Sequence, residues 1–128
     1  MPGEHGSTFG GNPLGSAIAV TALQVLVDER LPENAAKLGE VLMEGLRSLA
    51  KKHPIIESVR GRGLLVAVVI KDPKKEDLAM ALCLKLAERG LLAKPTHGNI
   101  IRLAPPLVIS PAQIEEALSI FDAALSSM

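Results

Sequence analysis

The run Gly63-Leu64-Leu65-Val66-Ala67-Val68-Val69-Ile70 constrains this chain more than any other stretch. It is aliphatic and β-branched throughout, a composition that favours a strand. Because it is apolar on both alternating faces, it is expected to be a central strand covered on both sides, by helices rather than by a second sheet. Ile55-Ile56-Glu57-Ser58-Val59 is a similar run just before it, and the intervening Arg60-Gly61-Arg62 reads as a hairpin turn. Two antiparallel strands are therefore predicted, and a further pair follows: Leu91-Leu92-Ala93 and Ile100-Ile101-Arg102-Leu103, flanking the turn Lys94-Pro95-Thr96-His97-Gly98-Asn99.

Helical periodicity fills most of the remainder. Asn12 offers an N-cap side chain and Pro13 stands where a first helical residue needs no donor. Leu14, Ile18, Ala22 and Val25 then repeat at three or four residues, with Leu26 widening the stripe, which predicts a buried helix ending near Asp28-Glu29. A second helix runs from Pro32 through Ala35, Leu38, Leu42, Leu46 and Leu49, with Lys51-Lys52 at the negative end of its dipole and Pro54 stopping it. After the break at Asp72-Pro73, Leu78, Ala81, Leu82, Lys85 and Leu86 mark a third helix to Arg89, closed by Gly90 as a left-handed C-cap. Ser110-Pro111-Ala112-Gln113 combines an N-cap, an N1 proline and a capping-box glutamine, opening a last helix on Ile114, Leu118, Phe121 and Leu125. The predicted class is α+β, a small mostly antiparallel sheet packed with helices.

Composition excludes several functions. Lysine plus arginine and aspartate plus glutamate stand at 14 each, so no net field draws the chain to nucleic acid or an anionic membrane. Phe9 and Phe121 are the only aromatics, which removes the stacking platforms of single-strand binders, and the lone Arg60-Gly61-Arg62-Gly63 copy does not make an RNA motif. Cys83 has no intrachain partner and reads as a small buried hydrophobe. No basic and apolar leader opens the sequence and no apolar run reaches the roughly 18 residues of a membrane span, so a soluble, non-secreted chain is expected. His5, His53 and His97 share no metal-ligand spacing, which argues against a metal centre.

Two features could carry chemistry. Arg102 is set between Ile100-Ile101 and Leu103-Ala104, and a guanidinium buried there needs an anion. That anion is either a carboxylate within the domain or a substrate carboxylate held by the planar fork. The glycine-rich start, with Gly3, Gly6, Gly10 and Gly11 around His5, Ser7, Thr8 and Phe9, could cradle a phosphate through backbone amides and hydroxyls, or could be a flexible lead-in segment. It matches neither a Walker loop nor a dinucleotide fingerprint.

Taken together, the stretches Pro2-Gly3-Glu4-His5-Gly6-Ser7-Thr8-Phe9-Gly10-Gly11-Asn12-Pro13-Leu14, Val59-Arg60-Gly61-Arg62-Gly63-Leu64, Lys94-Pro95-Thr96-His97-Gly98 and Ile101-Arg102-Leu103-Ala104-Pro105-Pro106-Leu107 resemble the ornithine aminotransferases. These belong to the fold-type I, class III aminotransferases, which use pyridoxal 5'-phosphate, and the likeness spans nearly the whole chain. It implies that residues 1–31 are a loop and helix from the end of a large cofactor-binding domain and that 32–128 are the C-terminal small domain. Ser7 and Thr8 match the loop that reaches the phosphate of the partner subunit's cofactor in a homodimer or higher homo-oligomer. Arg102 matches the arginine that binds the α-carboxylate of glutamate or 2-oxoglutarate. Phe9 stands where some members carry Tyr.

The Schiff-base lysine of the family lies upstream of these motifs, so the resemblance implies that no catalytic residue is in this chain, which is expected to be inactive alone. The complete enzyme would transfer the δ-amino group of ornithine to 2-oxoglutarate, in a mitochondrial matrix or a cytoplasm. Two alternatives stay open: another class III aminotransferase acting on acetylornithine or 4-aminobutyrate, and a non-catalytic dimerisation or interaction module.

Overall fold

A computed structural model describes residues 6–72, 74 and 76–128. The elements run α1 (Pro13–Asp28), α2 (Leu31–Lys52), β1 (Ile56–Arg62), β2 (Leu65–Ile70), α3 (Leu78–Glu88), β3 (Lys94–Thr96), β4 (Ile100–Leu103) and α4 (Pro111–Ser126). The strands form one antiparallel sheet in the order β1-β2-β4-β3, so the expected α+β class and the central place of β2 both hold. Val66, Val68 and Ile70 of β2 and Ile101 and Leu103 of β4 are buried in a single core with Leu38, Leu42 and Leu46 of α2, Leu82 and Leu86 of α3, and Ile114 and Phe121 of α4.

Helix boundaries follow the local chemistry closely. The Asn12 side chain accepts from the Gly15 amide at 2.7 Å ahead of Pro13. Ser110 and Gln113 form the reciprocal capping box, each accepting from the other's backbone amide. Gly90 takes φ +92 behind α3 as expected, and α2 carries Glu33 in its first turn and Lys51 and Lys52 in its last. Asp72 shapes the lead into α3 by accepting from the Glu76 and Leu78 amides, while Pro73 of the predicted break lies outside the described residues.

The first hairpin turns later than Arg60-Gly61-Arg62. Arg62 pairs with Leu65, so those three residues belong to β1 and the turn is Gly63-Leu64. Gly63 adopts φ +55, the left-handed conformation that a two-residue hairpin turn requires at its first central position. The Leu64 side chain is buried, and Gly63 lies against Gly39 of α2, so tertiary packing chooses which glycine turns.

The second strand pair is also displaced. Leu91 donates back to the Leu86 carbonyl, which holds the residues after α3 in the helix exit, and strand pairing starts only at Lys94. Pro95 is tolerated because β3 is an edge strand.

Coverage of β2 departs from expectation. Val66, Val68 and Ile70 face the helices, but Leu65 is 59% exposed on the opposite face and Ala67 and Val69 are only half-buried there. The helices therefore cover one side of the sheet.

α1 departs more sharply. None of its residues is buried, and Leu14, Ile18, Val20, Leu23, Val25 and Val27 are all exposed. These positions run around the helix rather than along one stripe, the pattern of a helix enclosed on all sides. In this chain it touches the rest of the fold mainly through α2, to which Glu29 and Arg30 connect it.

Candidate functional site

Strand register assembles a row of cations on the open face of the sheet. Arg60 of β1 pairs with Ala67 of β2, Ala67 with Arg102 of β4, and Arg102 with Lys94 of β3. Directly opposed residues on neighbouring strands project to the same face. That face also carries Leu65, while Ile101 and Leu103, on either side of Arg102, point into the core. The sequence-based expectation of a buried Arg102 is thus corrected, since strand alternation separates the guanidinium from its apolar neighbours and leaves it exposed.

No ion pair among the described residues involves Arg102, Arg60, Arg62 or Lys94. Of the two partners considered for Arg102, a carboxylate within the domain is therefore not found among those residues. Arg60 and Arg102 border a shallow trough of about 390 Å³ whose floor includes Ala67 and whose far side is formed by Thr96, His97 and Ile100. With strands about 4.8 Å apart, the two arginine stems rise about 10 Å from each other across the alanine methyl. A neutral chain thus concentrates positive charge on one face, suited to an anion of modest size.

The chemistry-bearing residues of the first loop lie elsewhere. Ser7 and Thr8 are exposed and lead through Phe9 and two glycines into the N-terminus of α1, where the Asn12 side chain also donates to the Phe9 carbonyl at 2.5 Å. Two hydroxyl donors beside a helix N-terminus have the donor set a phosphate needs. The trough beside Arg102 is not lined by this loop. Gly3 and His5 lie outside the described residues.

Other titratable groups have structural settings. Asp122 of α4 accepts from Lys52 Nζ at 2.6 Å and lies 2.6 Å from His53 Nε2, tying α4 to the end of α2. The Lys52 hydrogen bond, followed by that of His53, holds its carboxyl below the usual range. Cys83 is buried, as expected, and burial pushes its thiol pKa up. A second cavity, of about 320 Å³ between α2, α4 and the segment after β4, is lined almost wholly by apolar side chains, including Leu46, Ile114 and Phe121. No described helix is long and apolar enough to cross a membrane.

Reasoning from sequence missed Arg60 and Lys94 as neighbours of Arg102. The signal was the strand register, which cannot be fixed until the hairpin turn is placed at Gly63-Leu64.

The profile of the family described as Aminotransferase class-III matches residues 1–125. Among curated relatives, the chain is 53% identical over 126 residues to the mitochondrial ornithine aminotransferase of Rattus norvegicus, a match covering 98% of this chain and 28% of that protein. It is 57% identical over 125 residues to the mitochondrial ornithine aminotransferase of Oryza sativa subsp. japonica, covering 94% of this chain and 26% of that protein. Among solved structures, the acetylornithine aminotransferase of Elizabethkingia anophelis superposes with a TM-score of 0.90 at 51% identity, over 100% of this chain and 33% of that one. The chain thus spans about a quarter to a third of the length of the proteins it matches.

Proposed function

The chain belongs to the class-III aminotransferases, and from that premise we propose that it is the C-terminal part of an ornithine aminotransferase, contributing walls of the active site rather than its reacting lysine. The whole enzyme transfers the δ-amino group of ornithine to 2-oxoglutarate, giving glutamate semialdehyde and glutamate. The observation that carries the reading is Arg102, exposed on the open sheet face with no carboxylate bound to it among the described residues. A planar guanidinium so placed grips a carboxylate through two parallel hydrogen bonds and fixes the orientation of the acid.

Residues 1–31 are assigned to the large domain and 32–128 to the small one. The apolar circumference of α1 supports this division, because such a helix belongs inside a larger body. Ser7 and Thr8 donate to the phosphate of pyridoxal phosphate held mainly by the partner subunit of a homodimer, and the amides of the α1 N-terminus favour the same negative charge. When bound, pyridoxal phosphate supplies the electron sink that lets an amino group move between donor and acceptor. The compartment is a mitochondrial matrix or a cytoplasm.

The test is Arg102→Gln in the full-length enzyme. Loss of a charge-assisted carboxylate contact, about 1.5–3 kcal/mol, lowers kcat/KM for 2-oxoglutarate roughly 10- to 100-fold. Unchanged kcat/KM for 2-oxoglutarate refutes the role of Arg102. Activity of the unaltered enzyme on acetylornithine but not ornithine favours the other reading, toward which the Elizabethkingia structure points.

A further inference from the structure

The proposed function engages one cation of the row; the trough has a second, and Arg60 is as much a part of its wall as Arg102. The register Arg60–Ala67–Arg102 puts the smallest side chain of the open β2 face between the two longest, leaving space above Ala67 for a ligand that both guanidiniums face. No carboxylate among the described residues is bonded to either arginine, and both are exposed. Arg62 and Lys94 add charge of the same sign further along β1 and on β3, and no ion pair among the described residues involves either of them.

We propose that Arg60 is a charge-selecting residue, whose guanidinium makes the trough favour doubly charged acids over singly charged ones. The inference rests on the reading of Arg102 as the carboxylate grip. An acid anchored there by one carboxylate lays its remaining length over Ala67. A second negative charge on that length comes within the field of Arg60, whereas a monoanion presents only methylene groups there.

The size of the selection follows from Coulomb's law. At a water-like effective dielectric near 80, which suits exposed arginines, a unit charge over Ala67, about 5 Å from Arg60, gains about fourfold in affinity, and together with the charge held at Arg102, about 10 Å away, a dianion gains roughly tenfold. A monoanion, whose only charge stays at Arg102 about 10 Å from Arg60, gains about twofold in the same setting. Salt weakens both effects, the Debye length being about 10 Å at 0.1 M.

The experiment is calorimetric titration of the full-length holoenzyme with glutarate, a dianion, and butyrate, a monoanion, at low salt. Arg60→Gln is expected to weaken glutarate binding about tenfold and butyrate binding about twofold, and Arg60→Lys to recover most of the loss. Arg102→Gln is expected to weaken both ligands strongly. Glutarate binding unaltered by Arg60→Gln, equal weakening of both ligands, or failure of the lysine variant to recover overturns the charge selection alone, provided Arg102→Gln behaves as stated. Failure of the unaltered enzyme to bind glutarate, or indifference of both ligands to Arg102→Gln, overturns the reading of Arg102 and the selection with it.

Discussion

Substituting alanine at Gly39 and at Gly45 tests whether the first hairpin is placed by its contact with α2. Both positions lie inside the same helix, where glycine to alanine ordinarily stabilises by about 1 kcal/mol through helix propensity. Their surroundings differ. A methyl carbon on Gly39 would stand 2.2 Å from the Gly63 carbonyl oxygen and 2.6 Å from the Gly63 Cα, atoms of a tight turn that cannot swing away. At Gly45 the nearest atoms, at 2.2 and 2.8 Å, are the two terminal methyls of the half-buried Leu118, which a rotamer change can move.

Overpacking that forces backbone shifts costs about 1–3 kcal/mol or more. The turn also buries Leu64, so lifting it off α2 adds part of the roughly 1.5–3 kcal/mol gained by burying such a side chain. After the propensity gain, Gly39→Ala is expected to destabilise by about 2 kcal/mol or more, and Gly45→Ala to lie within about 1 kcal/mol of the unaltered chain. At roughly 2.1 cal/mol/K per residue, a 2 kcal/mol loss lowers the Tm of this 128-residue chain by about 7 °C. Urea and thermal unfolding followed by far-ultraviolet circular dichroism measure both variants. A Gly39→Ala chain as stable as the unaltered one, or two variants shifted equally, would refute the argument that the turn is pinned by this contact.

Asp122→Asn removes the carboxylate that joins α4 to Lys52 and His53. Because the Asp122 pKa is lowered in the fold, its stabilisation is complete above the ordinary value of 3.8 and is lost as pH falls through the lower folded value. Urea midpoints of the two forms should therefore differ at pH 6 and converge toward pH 2. In the full-length enzyme, Thr8→Ala is expected to weaken pyridoxal phosphate binding about tenfold or more through loss of a hydrogen bond to a charged group, and equilibrium dialysis with unchanged affinity would exclude that contact. Cys83, buried and with a raised pKa, should react with a chromogenic disulfide only in step with unfolding across a urea series; rapid labelling in native buffer would contradict its packing.

Where sequence reasoning succeeded, a local mechanism was sufficient. Ser110 and Gln113, Asn12 and Pro13, and Gly90 each act within one helical turn, and their roles hold whatever the rest of the chain does. The hairpin was different. Gly61 and Gly63 are equally able to turn a chain, and the choice rests with Gly39, more than twenty positions earlier. That one shift moves Arg60 from a turn into a strand and sets it across Ala67 from Arg102. The one-sided coverage of β2 and the exposure of α1 have a related cause. Leu65, Ala67 and Val69, like the apolar circumference of α1, require partners that the described chain does not supply.

The two margins of the sheet limit how this chain can misassemble. On one side β1 is interrupted by a bulge between Ile56 and Ser58 and carries Arg60 and Arg62; on the other, β3 is only three residues long and Pro95 offers no donor. Neither margin presents the long, flat, uncharged ladder from which an added strand could grow a fibril. Six of the exposed large apolar side chains, Leu14, Ile18, Val20, Leu23, Val25 and Val27, lie on α1 instead, so chains that cluster would do so mainly through that helix with their native folds retained. Such precipitates would be amorphous, would redissolve in mild detergent, and would not stain as amyloid.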